Sequence, residues 1–227
     1  MSVPDAATND ILARVSEREL SSIGRRVALD PGDVLHRFGD STDRYLFPLS
    51  GMISLTVPTP DGHNVEVAIV GREGVCGVAR LLGDDRADLE AISQVRGEAI
   101  EVPVQSVRGE LERSLRTLGS RYVTALFIEL AQTAACNRLH TVEQRTARWL
   151  LHAAERAQTS DLQLTHEFLA MMLAVRRASV TVVVGEFERA GLINAERGRI
   201  SLADGDGLSE CACECYNVIR AAAPRYD

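Results

Sequence analysis

No lysine occurs in these 227 residues, so all 25 cations are arginines, set against 32 Asp and Glu for a net charge of −7. Every positive charge is therefore a planar fork that can bind an acceptor pair bidentately. The acidic balance argues against a chain that coats nucleic acid by bulk charge. No apolar run reaches the roughly 18 residues of a membrane span. The start, Met1-Ser2-Val3-Pro4-Asp5, lacks the basic and apolar regions of a signal peptide. No membrane partner and a cytoplasmic location are expected. Cysteine is scarce before the last turns of the chain. The five (Cys76, Cys136, Cys211, Cys213, Cys215) are odd in number and badly spaced for a secreted disulfide framework. No Walker loop, His-Glu-x-x-His or Gly-x-Ser-x-Gly occurs, so no enzyme is expected. Disorder is excluded by 45% hydrophobic and 25% charged residues.

What is present begins as β. Short alternating or apolar runs recur at Arg26-Asp30, Val34-Arg37, Tyr45-Leu49, Met52-Val57, Val65-Val70, Leu89-Val95 and Ala99-Val102. Pro31-Gly32-Asp33, Gly39-Asp40, Ser50-Gly51, Pro60-Asp61-Gly62 and Gly71 separate them as turns. Many short strands at near-regular spacing predict a sandwich or barrel. A short helix from about Ala6 to Ile23 is expected to cap it.

After Pro103 the period becomes helical, with no proline to about Ala157. Leu111, Leu115, Leu118, Tyr122, Ala125, Glu129, Gln132, Cys136 and Leu139 follow the 4-3 spacing of a coiled-coil seam. A second stripe (Val123, Leu126, Phe127, Leu130, Ala134) lies beside it. A helix apolar on two sides needs two partners, which can be the β domain and a second copy. The first seam is read as the dimer interface. Thr141-Val142-Glu143-Gln144 has the capping-box form and marks a new helix, hence a hinge near His140. The Thr159-Ser160-Asp161 stretch reads as a loop.

Leu164 to Ile193 is the most informative segment. Thr165 can cap a short helix through about Leu173, Ala174-Val175 forms a tight turn, and a second helix runs from about Arg177 to Ala190. Gly191 ends it in the position favoured for a left-handed cap. A hairpin, Ile193-Glu196 and Arg199-Leu202, follows around Arg197-Gly198. Helix, turn, helix and hairpin is the winged helix-turn-helix order. Its second helix enters the major groove N-terminus first. Arg176, Arg177, Ser179 and Thr181 in the opening turn can meet guanine edges and phosphates. Thr165 and His166 join this DNA-facing set, and Arg197 and Arg199 can hold flanking backbone.

These segments together resemble the Crp/Fnr family of bacterial transcription regulators over nearly the full length. The likeness runs through Gly51-Met52-Ile53-Ser54-Leu55, Pro60-Asp61-Gly62 to Gly71, the helix from about Leu115 to Leu139, and Leu164-Thr165-His166-Glu167 through Gly191-Leu192-Ile193. It implies an α+β fold: an N-terminal double-stranded, jelly-roll-like β-roll (1–104), a helical connector with the dimerisation helix (105–140) and a C-terminal winged helix-turn-helix (141–227). It also implies a homodimer on a palindromic double-stranded operator, with RNA polymerase as a further partner. Effector binding in the β-roll would reorient the reading helices through the long helix.

Position by position, the family's guanine-reading arginine falls on Arg177. Ala178 and Val182 stand where cyclic-AMP-responsive members read with glutamate and arginine, so the operator should differ from theirs. In the family's phosphate-binding cassette, laid from Gly71 to Ala87, the arginine falls on Arg86, the ribose-holding glutamate on Cys76, and the serine or threonine on Ala87. The polar pair that meets the adenine falls on Leu130 and Ala131. An effector pocket at Cys76, Gly77 and Arg86 is thus expected to hold something other than cyclic AMP. Arg86, beside Asp84, Asp85 and Asp88, also reads as a surface turn residue.

The Fnr-like branch carries an iron–sulfur cluster on N-terminal cysteines, and none precedes Cys76. His36, His63 and Cys76 are the candidates for an axial haem ligand. Cys211, Cys213 and Cys215 on one helix cannot easily close a tetrahedral site unless other segments, such as His152 or His166, assist. They are read as packing residues, with no metal and no cofactor assigned. The rival readings are a metal- or redox-sensing regulator using these cysteines, and a small-molecule receptor acting through a protein partner.

Charge split by segment refines the opening point. Residues 1–140 carry −5, residues 141–203 carry +1, and residues 204–227 carry −3. The segment expected to read DNA is near neutral, with its cations gathered at Arg176-Arg177 and Arg197/Arg199.

Overall fold

The computed structural model describes residues 8–16, 20, 22–60, 62 and 64–226. Strands β1 (Arg25–Leu29), β2 (Val34–His36), β3 (Arg44–Pro58), β4 (Asn64–Val70) and β5 (Glu90–Pro103) form one antiparallel sheet. Its order is β1-β5-β3-β4, with β2 also on β5. Four of the expected strands merge into two. Ser50-Gly51 is a bulge inside β3, where the register against β5 shifts repeatedly. Gly51 has φ +76, and a side chain on it would come within 2.5 Å of the Val95 carbonyl. The chain bends there and keeps pairing, which curls the sheet into a roll.

Leu29, Phe47, Ile53 and Ile100 are fully buried in the roll. The expected helix from Ala6 to Ile23 lies partly outside the described residues. Within them Leu20, Ser22 and Ile23 are helical, and a 3-10 turn, Leu12–Arg14, is anchored by Asn9, whose Nδ2 donates to the carbonyls of Pro48 (3.0 Å) and Gly74 (3.1 Å). Asp61, in the Pro60-Asp61-Gly62 turn, also lies outside them.

A one-turn helix, α1 (Val78–Leu81), precedes β5, and the long helix α2 (Gly109–Leu139) follows it. The expected seam of α2 turns inward. Leu115 and Cys136 are fully buried, Tyr122 and Glu129 nearly so, and Leu118 packs on the β-roll core. Ala125 and Gln132 are half-buried. Leu111, Leu115, Tyr122 and Leu126 complete the roll's own core, so this face is occupied within the protomer. The opposite face, Ser120, Thr124, Phe127, Ala131, Ala134 and Arg138, repeats the same 4-3 spacing and is exposed. Phe127 is 70% exposed and Leu139 72%.

His140, in extended conformation, separates α2 from α3 (Val142–Ala157), which opens with the expected Thr141–Gln144 capping box. Then come β6 (Asp161–Leu162), α4 (His166–Met172), α5 (Arg177–Arg189), the hairpin β7 (Ile193–Glu196) and β8 (Arg199–Leu202), α6 (Gly205–Cys211) and α7 (Cys215–Ala221). The stretch read as a loop supplies β6, which completes a three-stranded wing of order β6-β8-β7. The terminal cysteines do not share one helix, because extended Ala212 breaks it between α6 and α7. Trp149, Leu150, Leu169, Val180, Val184, Phe187 and Ile200 form a second core that includes Met52, Ile69 and Val95 of the roll. The winged unit is therefore packed on the roll. Among the described residues no single helix is long and apolar enough to cross a membrane.

Candidate functional site

The helix-turn-helix is built from local signals. Thr165 caps α4, its Oγ1 accepting from the Phe168 N–H at 3.1 Å. The turn to α5 passes through Ala174, a non-glycine residue at φ 50, and bends the two helix axes by 111°, within the range of DNA-reading helix pairs. Leu169, Ala170 and Met172 of α4 pack with Val180, Val183, Val184 and Phe187 of α5. That leaves Arg176, Arg177, Ala178, Thr181 and Val182 exposed around the start of α5, with Ser179 half-buried. Arg177 is 68% exposed and lies 3.6 Å from Glu167. A pair this exposed contributes about 0–1 kcal/mol and releases its fork at little cost. His166 Nδ1 lies 3.1 Å from Thr181 Oγ1, tying the first turns of α4 and α5 together. Arg199 differs from the free cation expected: its Nε and Nη2 meet Asp161 Oδ1 and Oδ2 at 2.5 and 2.6 Å across the wing. Arg197 is exposed at the hairpin turn.

The reading end of α5 faces the chain's own β-roll. Arg176, Arg177, Thr165 and Glu167 line a cleft of about 800 Å³ whose far wall includes Thr59, Asn64 and Val65. Buried polar ties hold the two walls. Arg156 of α3 bonds Glu129 of α2 at 3.1 Å, Glu73 at 3.2 Å and the Ile69 carbonyl at 2.5 Å. Burial opposes its charge, but the Glu129 and Glu73 carboxylates outweigh burial and raise its pKa further. Glu66 of β4 accepts from the Trp149 indole at 2.5 Å and from the Ser54 hydroxyl. Burial pushes its carboxyl up to about 7. Glu66 and Arg156 sit in no motif, and Glu73, though inside the Gly71 to Ala87 cassette, was given no role by the sequence.

A cavity of about 310 Å³ lies between the roll and α2, lined mostly by apolar groups that include Cys76, Gly77, Ala87, Leu126 and Leu130. Cys76 and Gly77 are thus where the cassette alignment put them. Arg86 is not among the lining residues; it sits exposed in an isolated β-bridge with Ser41, with its backbone N–H donating to Asp84 Oδ1. His36 Nε2 and Thr42 Oγ1 are the buried lining atoms without a hydrogen-bond partner among the described residues. Burial, reinforced by Arg44, lowers the His36 pKa, and burial pushes the Cys76 thiol up to about 12, so both are neutral near pH 7. Among the described residues lining the cavity there is no arginine to meet a phosphate, and this lining does not fit a cyclic nucleotide. His63 lies outside the described residues.

The terminal cysteines meet the end of α2. Cys136, His140, Cys213 and Cys215 offer ligand atoms all within 4.8 Å of one another. The helping segment is α2, and neither His152 nor His166 takes part. Cys211 stands apart, half-buried.

Comparison with known proteins agrees with this architecture. Residues 26–114 match the cyclic nucleotide-binding domain model, and residues 144–211 match the Crp-like helix-turn-helix model. The transcriptional regulator SdrP of Thermus thermophilus is 27% identical over 202 residues, 85% of this chain and 96% of that protein. The global nitrogen regulator of a Nostoc species is 26% identical over 72% of this chain and 78% of its own. The crystal structure of a CRP/FNR-family transcriptional regulator from Thermus thermophilus superposes with a TM-score of 0.64 at 26% identity, covering 83% of this chain and 98% of that one. A sensor of the cyclic-nucleotide-binding type leads through one long helix to a Crp-like reading head, and this chain belongs to the Crp/Fnr family of transcription regulators, which are not enzymes.

Proposed function

We propose that two copies of the chain pair through the outer face of α2 and read a two-fold symmetric operator on double-stranded DNA, with half-sites about one helical turn apart. In this reading residues 1–104 are the sensor, 105–140 the connector and 141–227 the DNA-reading domain, acting in the cytoplasm on transcription by RNA polymerase. The observation that carries it is the start of α5: Arg176 and Arg177 exposed at the end of a helix pair bent by 111°. Arg177 is the base reader, Arg176 and Thr181 serve it at the groove edge, and Thr165, Ser179 and Arg197 hold backbone. Arg199 and His166 position the wing and α5 through Asp161 and Thr181. The mostly apolar cavity, with His36 and Thr42 as its unpartnered polar atoms, supports a compact apolar effector over cyclic AMP. The test is binding of wild type and Arg177→Ala to a selected operator and its single-base variants. A loss of about 1–3 kcal/mol, confined to one position per half-site, is expected. Equal weakening on every sequence would reduce Arg177 to a phosphate contact.

A further inference from the structure

The chain breaks and turns where its last cysteines lie, and the result is a closed set of four donors. Cys136 lies in the last turn of α2, and His140, the residue that caps it, donates its backbone N–H to the Cys136 carbonyl at 3.1 Å. Cys213 sits in the break between α6 and α7, and Cys215 opens α7. The Sγ atoms of Cys136 and Cys213 are 3.5 Å apart, and Cys215 Sγ is 3.5 Å from His140 Nδ1. Bond lengths of 2.3 Å for sulfur and 2.0–2.1 Å for nitrogen give a tetrahedral zinc site edges of about 3.5–3.8 Å. We propose that Cys136, His140, Cys213 and Cys215 bind one zinc ion as a Cys3His site. It staples the C-terminal tail to the hinge between α2 and α3.

Three observations beyond the donor set support this. His140 directs Nδ1 at Cys215 while its Nε2 lies 3.3 Å from Glu214, the carboxylate–histidine arrangement that fixes the metal-facing nitrogen. Gln132 donates to Cys215 Sγ at 3.1 Å, a bond that orients a coordinating thiolate. Buried Arg148 acts electrostatically on Cys136, and its Nε has no hydrogen-bond partner among the described residues. Three thiolates, a neutral imidazole and a dication sum to −1, which one such cation balances.

The three cysteines form a small buried cluster separate from both cores, so they fill no gap in either. Four protein ligands leave no open position, which marks a structural site. Soft thiolates with imidazole suit zinc and exclude magnesium or calcium. A four-iron cluster seats each thiolate on a different iron and spreads them more widely than this set.

The site bears on the reading head. Arg145, one turn into α3, donates from Nη2 to the Leu173 carbonyl at the helix-turn-helix turn, and thiolates formed at Cys136 and Cys213 on metal binding would act on its charge. The inference stands apart from DNA reading, since its readout is metal content.

The test is elemental analysis of the full-length protein, purified without chelator, with cobalt titration of chelator-stripped protein. About one zinc per chain is expected, and visible bands of tetrahedral thiolate-bound cobalt saturating at about one equivalent. Zinc should be lost in Cys213→Ser/Cys215→Ser and kept in Cys211→Ser. Circular dichroism shows whether the double variant is folded; the cobalt spectrum of wild type decides the matter if it is not. Metal-free protein with no cobalt bands, zinc retained by a folded double variant, or an iron–sulfur chromophore would each overturn the proposal.

Discussion

A carboxyl with no cation bonded to it sits where β4 meets α3. Glu66 is buried and receives two donors, from Ser54 and Trp149, yet desolvation outweighs them and its pKa rises from 4.5 to about 7. Glu129 adds to the rise and Arg148 opposes it. A carboxyl raised on folding binds its proton more tightly in the folded state. It therefore contributes stability that is fully present below about 4.5 and is lost as pH rises through about 7. At 1.36 kcal/mol per pKa unit the swing is about 3 kcal/mol. Denaturation of wild type and Glu66→Gln across this range isolates it, since other titrating groups cancel in the difference. The wild-type advantage should shrink as pH rises; a flat difference would place Glu66 in water. Glu66 was not legible in the sequence. It is one acid on an alternating strand, and its neighbours Ser54 and Trp149 are remote along the chain. Arg177 was legible because its surroundings are local: a cap, a turn and a helix start within a dozen residues. Arg199 shows the limit of that locality, since its partner Asp161 comes from a strand that the sequence presents as a loop.

At the scale of elements, the long helix teaches about phase. Its end at Leu139 and the capping box after it could be read from the sequence, but its start, read near Leu115, lies at Gly109. The 4-3 spacing was also correct, but two stripes satisfy it, and hydrophobicity favours the one with Leu115 and Tyr122. That stripe is the more apolar because it completes the β-roll core. The stripe left outside is made of small residues around Phe127, as close helix approach requires. Phe127 also lines the mouth of the effector cavity, so a second copy seated on it would help close the pocket. Burying it twice in a symmetric interface contributes about 3–6 kcal/mol. Phe127→Arg loses this and sets like charges opposite each other. Sedimentation should show the variant as a monomer where wild type is a dimer, with an unchanged circular dichroism spectrum. Leu115→Ala should do the reverse, costing about 2–5 kcal/mol of stability while leaving dimerisation intact. A Phe127→Arg protein that still sediments as a dimer would return the interface to another face.

For the molecule as a whole, the question is what holds the reading head where it is. The end of α5 looks across a cleft at β4. Movement of the winged unit off the roll, about the extended residues His140 and Thr141 between the two helices, would free this end for DNA. Two polar ties and the shared apolar core resist that motion. Glu66–Trp149 joins β4 to α3, and Arg156 joins α3 to Glu129 of the long helix and to Glu73. Both ties belong to the docked arrangement, so losing either should favour release of the winged unit. Arg156→Met tests this. It leaves two buried carboxylates without their cation, so thermal stability should fall, by about 3–5 kcal/mol. Because the lost contacts belong to the docked arrangement, effector-free operator binding should become tighter even as the protein becomes less stable. Stability and affinity moving in opposite directions is the signature of a released clamp. If both fall together, the docked arrangement is itself the DNA-reading one, and the effector must act by tightening the contact between roll and winged unit.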